Sequence, residues 1–125
     1  MIVGVGLDVV PIARIASMLD RYGARLEEKL FSPDERAYCA GRGRPAQHFA
    51  ARFAAKEATL KALGAPSGLR WQEIEVVAGA GGAPLLRLSG AAARAAADRG
   101  AVVRHVSLTH AGDVAAAVVI METAA

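Results

Sequence analysis

The chain has 125 residues, of which 54% are hydrophobic and 22% charged, with a formal net charge of +3 and a pI near 9.5. This balance predicts one folded domain, residues 1–125, and excludes a disordered chain; no apolar run approaches the roughly 20 residues of a bilayer span. With aromatic residues at 5% and only mild basicity, neither nucleic acid nor a membrane is an expected partner.

The opening MIVGVGLDVV has no basic leader segment, and Asp8 interrupts it too early for a secretory signal, which predicts a cytoplasmic protein. The single Cys39 has no internal disulfide partner, and no Cys/His spacing suggests zinc. Residues 2–9 read as a buried strand, with Val3, Val5, Leu7 and Val9 on one face and Ile2, Gly4, Gly6 and Asp8 on the other. Pro11 suits the first turn of a helix. Ile12, Ile15, Ala16, Leu19, Tyr22, Leu26 and Leu30 keep helical spacing, with Gly23 as the place for a break.

Ser32-Pro33-Asp34-Glu35 reads as a cap, a proline at the first helical position and first-turn acids, opening a short helix to about Ala40. The basic loop Gly41–Pro45 follows, and Pro45 opens a long helix closed by Gly64. Glu73–Ala78 and Leu85–Leu88 alternate as strands around GAGGAP. Ser89 can cap a helix running through Arg99, and VVRHVSLTH and VAAAVVIME form a final hairpin. The order predicts an α+β fold.

Four groups of residues can carry chemistry. Asp8 either ends its strand and caps the helix behind Pro11, or places a carboxylate where Gly4 and Gly6 let something approach the backbone. On the long helix, Phe49, Phe53, Leu60 and Leu63 fall within about 80° of one another, with Glu57 and Lys61 on the flank. Glu57 and Lys61 can be an ordinary helical ion pair. Combined with Asp8, they also provide the oxygens by which Mg²⁺ is held, with a lysine for a phosphate. His105, Ser107 and Thr109 share a strand face and His110 follows, a set suited to phosphate oxygens or a nucleotide ring, or to a half-solvated hairpin. Arg14, Met18, Arg21 and Arg25 line up opposite the leucine face, either as a docking surface for an acidic helix or as a solvated face.

GLDVV with Arg14 downstream, FAARFAAKEATLKALG, and SLTH followed by a strand ending in Glu122 resemble the short, bacterial branch of the 4′-phosphopantetheinyl transferase superfamily. The resemblance runs from Met1 to about Glu122. It implies a small antiparallel sheet packed against a long helix and shorter helices. It also implies Mg²⁺-dependent transfer of phosphopantetheine from coenzyme A to a serine of apo acyl carrier protein in fatty acid biosynthesis, by a homotrimer with sites between subunits. Asp8 and Glu57 match the metal ligands, and Lys61 joins them as a catalytic residue at the phosphates. Arg44, Arg52, Lys61, Thr109 and His110 are the implied coenzyme A contacts. Arg14, Arg21 and Arg25 are the implied carrier-protein contacts. The chain departs from the family at Gly43, where a basic residue often stands, and this shifts the expectation of phosphate binding toward Arg42.

Overall fold

In the computed structural model, which describes residues 1–124, β1 (Ile2–Pro11) leads into α1 (Ile12–Tyr22), α2 (Ala24–Leu30), α3 (Pro33–Ala40) and α4 (Pro45–Ala62). A hairpin of β2 (Ile74–Ala78) and β3 (Pro84–Leu88), α5 (Gly90–Asp98), and the strands β4 (Val103–Ala111) and β5 (Val114–Glu122) complete it. β1, β5 and β4, in that order, form an antiparallel three-stranded sheet, while β2 and β3 pair separately. The architecture is the expected α+β arrangement of a small antiparallel sheet on a long helix.

The sheet meets α4 through its smallest residues. A Cβ on Gly4 would lie 2.1 Å from the carbonyl oxygen of Ala62, and one on Gly6 would lie 1.7 Å from that of Ala58. The strand therefore has glycine at these two positions because the helix backbone occupies the space of a side chain. Ala50, Ala54, Ala58 and Ala62 of α4 are buried. The stripe read from the sequence turns away from this sheet. Phe49 packs on Phe31 at 4.9 Å between ring centres, and Phe53 on Trp71 at 5.4 Å. α4 is thus buried on two opposite faces, which a wheel with one apolar stripe does not express.

Two expectations are corrected. β1 is not buried on both faces: Val5, Leu7 and Val9 are 58%, 59% and 56% exposed. Its inward face is Gly4, Gly6, Asp8 and Val10, opposite Met121, Val119, Ala117 and Ala115 of β5. A face of glycines excludes the valines because only the glycines let α4 come close. The second correction concerns the arginine row: the first helix does break at Gly23, as its sequence allowed, with φ 61° and ψ −144°, a conformation open only to glycine. Arg25 therefore stands on α2, off the row of Arg14 and Arg21.

Local signals account for the remaining ends. Ser32 caps α3 reciprocally with Glu35, its hydroxyl accepting from the Glu35 amide at 3.2 Å while the Glu35 carboxylate accepts from the Ser32 amide at 2.9 Å. The amides of Gly64 and Ala65 close α4 by donating to the carbonyls of Lys61 and Leu60 at 3.1 and 2.7 Å. Ser89 stands before α5 but does not cap it with its side chain. Glu73 does so instead, its Oε2 accepting from the Ala91 amide at 2.6 Å.

Candidate active site

The contact between β1 and α4 brings Asp8 against the last two turns of the helix. Lys61 Nζ donates to the Leu7 carbonyl at 2.8 Å and to Asp8 Oδ1 at 3.2 Å. Asp8 is largely shielded, its side chain 18% exposed, while Lys61 keeps 52% of its own exposed. Glu57 lies one turn before Lys61 and is half-buried. Its carboxyl is held above the usual glutamate range, first by burial and then by the nearby Asp8 carboxylate, with Lys61 and Arg14 pulling the other way. Asp8 of β1 and the helical neighbours Glu57 and Lys61 therefore form one electrostatic unit, with Arg14 of α1 at its edge.

The donor set suits a hard divalent cation. Two carboxylates are forced together beside one lysine, and the carboxyl pair is itself unfavourable until a cation neutralises it. Among the described residues no third His, Cys, Asp or Glu joins them. Asp8 and Glu57 would supply two oxygens, and the rest of a six-oxygen shell would come from substrate and water.

A second, basic group lies at the start of α4. Arg44 precedes the helix and lines a cavity of about 400 Å³ with Ile12, Pro45, Gln47 and Asp113. Gln47 Nε2 lies 3.4 Å from His110 Nε2, and the His48 ring is 6.1 Å from that of His110. Tyr38 carries two guanidinium groups on its ring, Arg42 at 4.1 Å and Arg52 at 4.0 Å. Arg52 is only 6% exposed, its Nε has no partner, and it lines a cleft of about 390 Å³ with Asp34, Tyr38, Val76 and Arg87. Burial and then the charges of Arg52, His110 and Arg42 depress the His48 imidazole below its usual range. This cationic surroundings would favour an anion.

The two groups lie on the same face of the sheet. Asp8 pairs with Ala117, and His110 with Ala115, which sets Asp8 and His110 about 12 Å apart by strand spacing and rise. Thr109 pairs with Ala116 and belongs to the opposite, outward face, with Leu7 and Val9 as neighbours across β5. Within one chain Thr109 does not join His110, because successive strand residues alternate faces. Arg14 and Arg21 remain exposed on α1, and Arg25 is exposed on α2.

Sequence reasoning missed Lys56, Glu35, Tyr38, Gln47 and His48. Lys56 and Glu35 are both fully buried and pair at 2.8 Å. A signal existed: Lys56 falls within about 20° of Phe49 on the helical wheel, in the middle of the apolar stripe. A lysine placed there requires a buried acid.

The whole arrangement has close counterparts. The family model of the 4′-phosphopantetheinyl transferase superfamily matches residues 4–119. The chain is 53% identical over 125 residues to a holo-[acyl-carrier-protein] synthase of Anaeromyxobacter dehalogenans, covering 98% of this chain and 97% of that one. The acyl carrier protein synthase structure of Mycobacterium tuberculosis is similar with a TM-score of 0.76 at 41% identity, covering 99% of this chain and 100% of that one. The Helicobacter pylori holo-[acyl-carrier-protein] synthase, solved in complex with coenzyme A, is similar with a TM-score of 0.82 at 30% identity, covering 94% and 99%.

Proposed function

Because the chain belongs to the 4′-phosphopantetheinyl transferase superfamily, among its holo-[acyl-carrier-protein] synthases, we propose that Asp8, Glu57 and Lys61 form the centre at which it moves phosphopantetheine from coenzyme A to a serine of apo acyl carrier protein. The reading extends to dependence on Mg²⁺, a role in fatty acid biosynthesis and a cytoplasmic location; no helix of the described residues is long and apolar enough to cross a membrane. The observation that carries it is the contact of Lys61 with Asp8 at 3.2 Å, with the Glu57 carboxyl raised by the same aspartate.

In the reaction, the serine oxygen bonds to the β-phosphorus of coenzyme A while the bridge to the α-phosphate breaks, and adenosine 3′,5′-bisphosphate departs. Such a transfer asks for alignment and charge stabilisation more than covalent help from the protein. Asp8 and Glu57 would hold Mg²⁺, which when bound would supply charge neutralisation at the pyrophosphate. Lys61 steadies the oxygen that departs with the α-phosphate. Glu57, or a water ordered beside it, is the candidate acceptor of the serine proton. Arg42, Arg44, Arg52 and His110 would hold the nucleotide end, Arg44 from the cavity beside Pro45 and Arg52 from the cleft beside Tyr38. Arg14 and Arg21, with Arg25 on the adjoining helix, would receive the acidic helix of the carrier protein.

The test is the mass of apo acyl carrier protein incubated with this chain, coenzyme A and Mg²⁺. A gain of one phosphopantetheine group is expected with the wild type. Asp8→Ala and Glu57→Ala should each lose about a hundredfold or more of the rate while keeping the far-UV circular dichroism. Normal turnover by either variant would remove the metal assignment. In the same assay, Arg14→Glu with Arg21→Glu should raise KM for the carrier protein far more than KM for coenzyme A. Equal effects on both would take the arginine row out of docking.

A further inference from the structure

We propose that the buried Lys56–Glu35 pair is a positioning device that fixes the rotation and height of α4 on the sheet and thereby keeps Glu57 opposite Asp8. The inference rests on the function proposed above, and it starts from the character of the helix–sheet contact. α4 lies on β1 through alanines over Gly4 and Gly6. At these two positions of β1 no side chain interlocks with the helix, the larger inward residues Val119 and Met121 standing on β5, and apolar contact is non-directional, so this face by itself tolerates small rotations and shifts. Lys56 stands about 160° around the helix from Ala58, on the far side from the sheet.

Its anchoring is directional. The ammonium has three protons to donate, and three acceptors on separate segments take them. They are Glu35 Oε1 of α3 at 2.8 Å, the Trp71 carbonyl at 3.2 Å, and the Ile74 carbonyl of β2. The carboxylate is fixed in turn, since Glu35 Oε1 accepts from the Ser32 amide at 2.9 Å and Oε2 from the Val76 amide at 2.9 Å. Ser32 Oγ continues the chain to Glu75 Oε2 at 2.5 Å, and Glu75 is held by Arg87 at 2.9 Å. Rotating α4 would break this set of bonds at fully buried groups.

The consequence falls on the neighbouring residue. A 20° rotation of a helix moves a side-chain end about 5–6 Å from its axis by about 2 Å, and a misplacement of about 1 Å is enough to cost about a hundredfold in rate. Stability and positioning can be separated, because a buried ion pair exchanged for neutral groups of similar volume is often neutral or stabilising.

The deciding variant is Lys56→Met with Glu35→Gln in the full chain, compared with Val106→Ala on β4, partly buried against the core, as a destabilised control outside both the site and the Lys56 anchors. Thermal melting, kcat with coenzyme A and apo carrier protein, and Mn²⁺ affinity by electron paramagnetic resonance without coenzyme A are measured. The double variant is expected to melt no lower than the control, lose on the order of 100-fold in kcat, and bind Mn²⁺ about tenfold more weakly. KM for the carrier protein should stay unchanged. Wild-type Mn²⁺ affinity, or a kcat loss no larger than the control's, overturns the proposal. If the double variant does not fold, Glu35→Asp keeps the charge pair but draws the anchor back by one methylene, and unchanged Mn²⁺ affinity there overturns it equally. A wild type that binds Mn²⁺ but never modifies the carrier would refute the transfer reaction, and the Mn²⁺ comparison would still decide the positioning role.

Discussion

Glu57 is held in an environment that works against its ionised form. Partial burial and Asp8 keep its carboxyl above the usual range, and Lys61 and Arg14 offset this only in part. A carboxyl whose pKa is raised by folding costs stability once pH exceeds its unfolded value, and the cost is complete above the folded value. Glu57→Gln is therefore expected to raise Tm of the metal-free protein at pH 7. The gain should vanish below about pH 4, where the wild-type group is protonated in both states. Calorimetry at pH 3.5 and 7 checks this, and an equal gain at both values would mean that charge is not the cause. Such a residue is kept for what it binds, and the fold pays for it. Cys39 is the opposite case: burial pushes its thiol up to about 12, so it serves packing and not chemistry.

At the scale of elements, the approach of α4 to β1 makes the site. Asp8 can face Glu57 and Lys61 only because two glycines on its strand face allow helix backbone to replace side chains. Gly6→Ala would set a methyl carbon 1.7 Å from the Ala58 oxygen, so the helix has to lift off the strand. Urea denaturation is expected to register a loss of about 3 kcal/mol, with transfer falling further than stability alone explains. A variant of wild-type stability would mean that the contact relaxes and that the glycine is not required. The break at Gly23 is a second consequence of local backbone. It divides one apparent helix into α1 and α2, and so separates Arg25 from Arg14 and Arg21.

The whole molecule leaves one side of its main sheet uncovered. Val5, Leu7 and Val9 face outward at more than half exposure, beside Val118 and Ile120 across the register. His105 and Glu122 pair at 2.8 Å at the end of that face. A row of exposed branched apolar side chains suits an interaction surface, and the homotrimer expected from the family resemblance would place a neighbouring subunit on it. Leu7→Asp leaves the α4 side of the strand untouched, so the fold should survive. Sedimentation should then give a monomer in place of an oligomer, with transfer reduced if neighbouring subunits complete each site. An unchanged sedimentation coefficient would assign this face to another role.

Local chemistry made much of the protein legible from the chain alone. The Ser32–Glu35 cap, the proline starts of α3 and α4, the Gly64 stop and the two hairpins depend on residues a few positions apart, and their order determines the α+β class. Asp8, Glu57 and Lys61 stood out because charge beside glycine, alanine and an apolar stripe is a local anomaly. The tertiary structure alone decided which face of β1 turns inward, where Arg25 points, that Thr109 and His110 part company, and that Lys56 has a buried partner in Glu35. Each of these depends on how closely two distant backbones approach, and that distance is set by side-chain volume summed over both elements, which no single stretch of sequence contains.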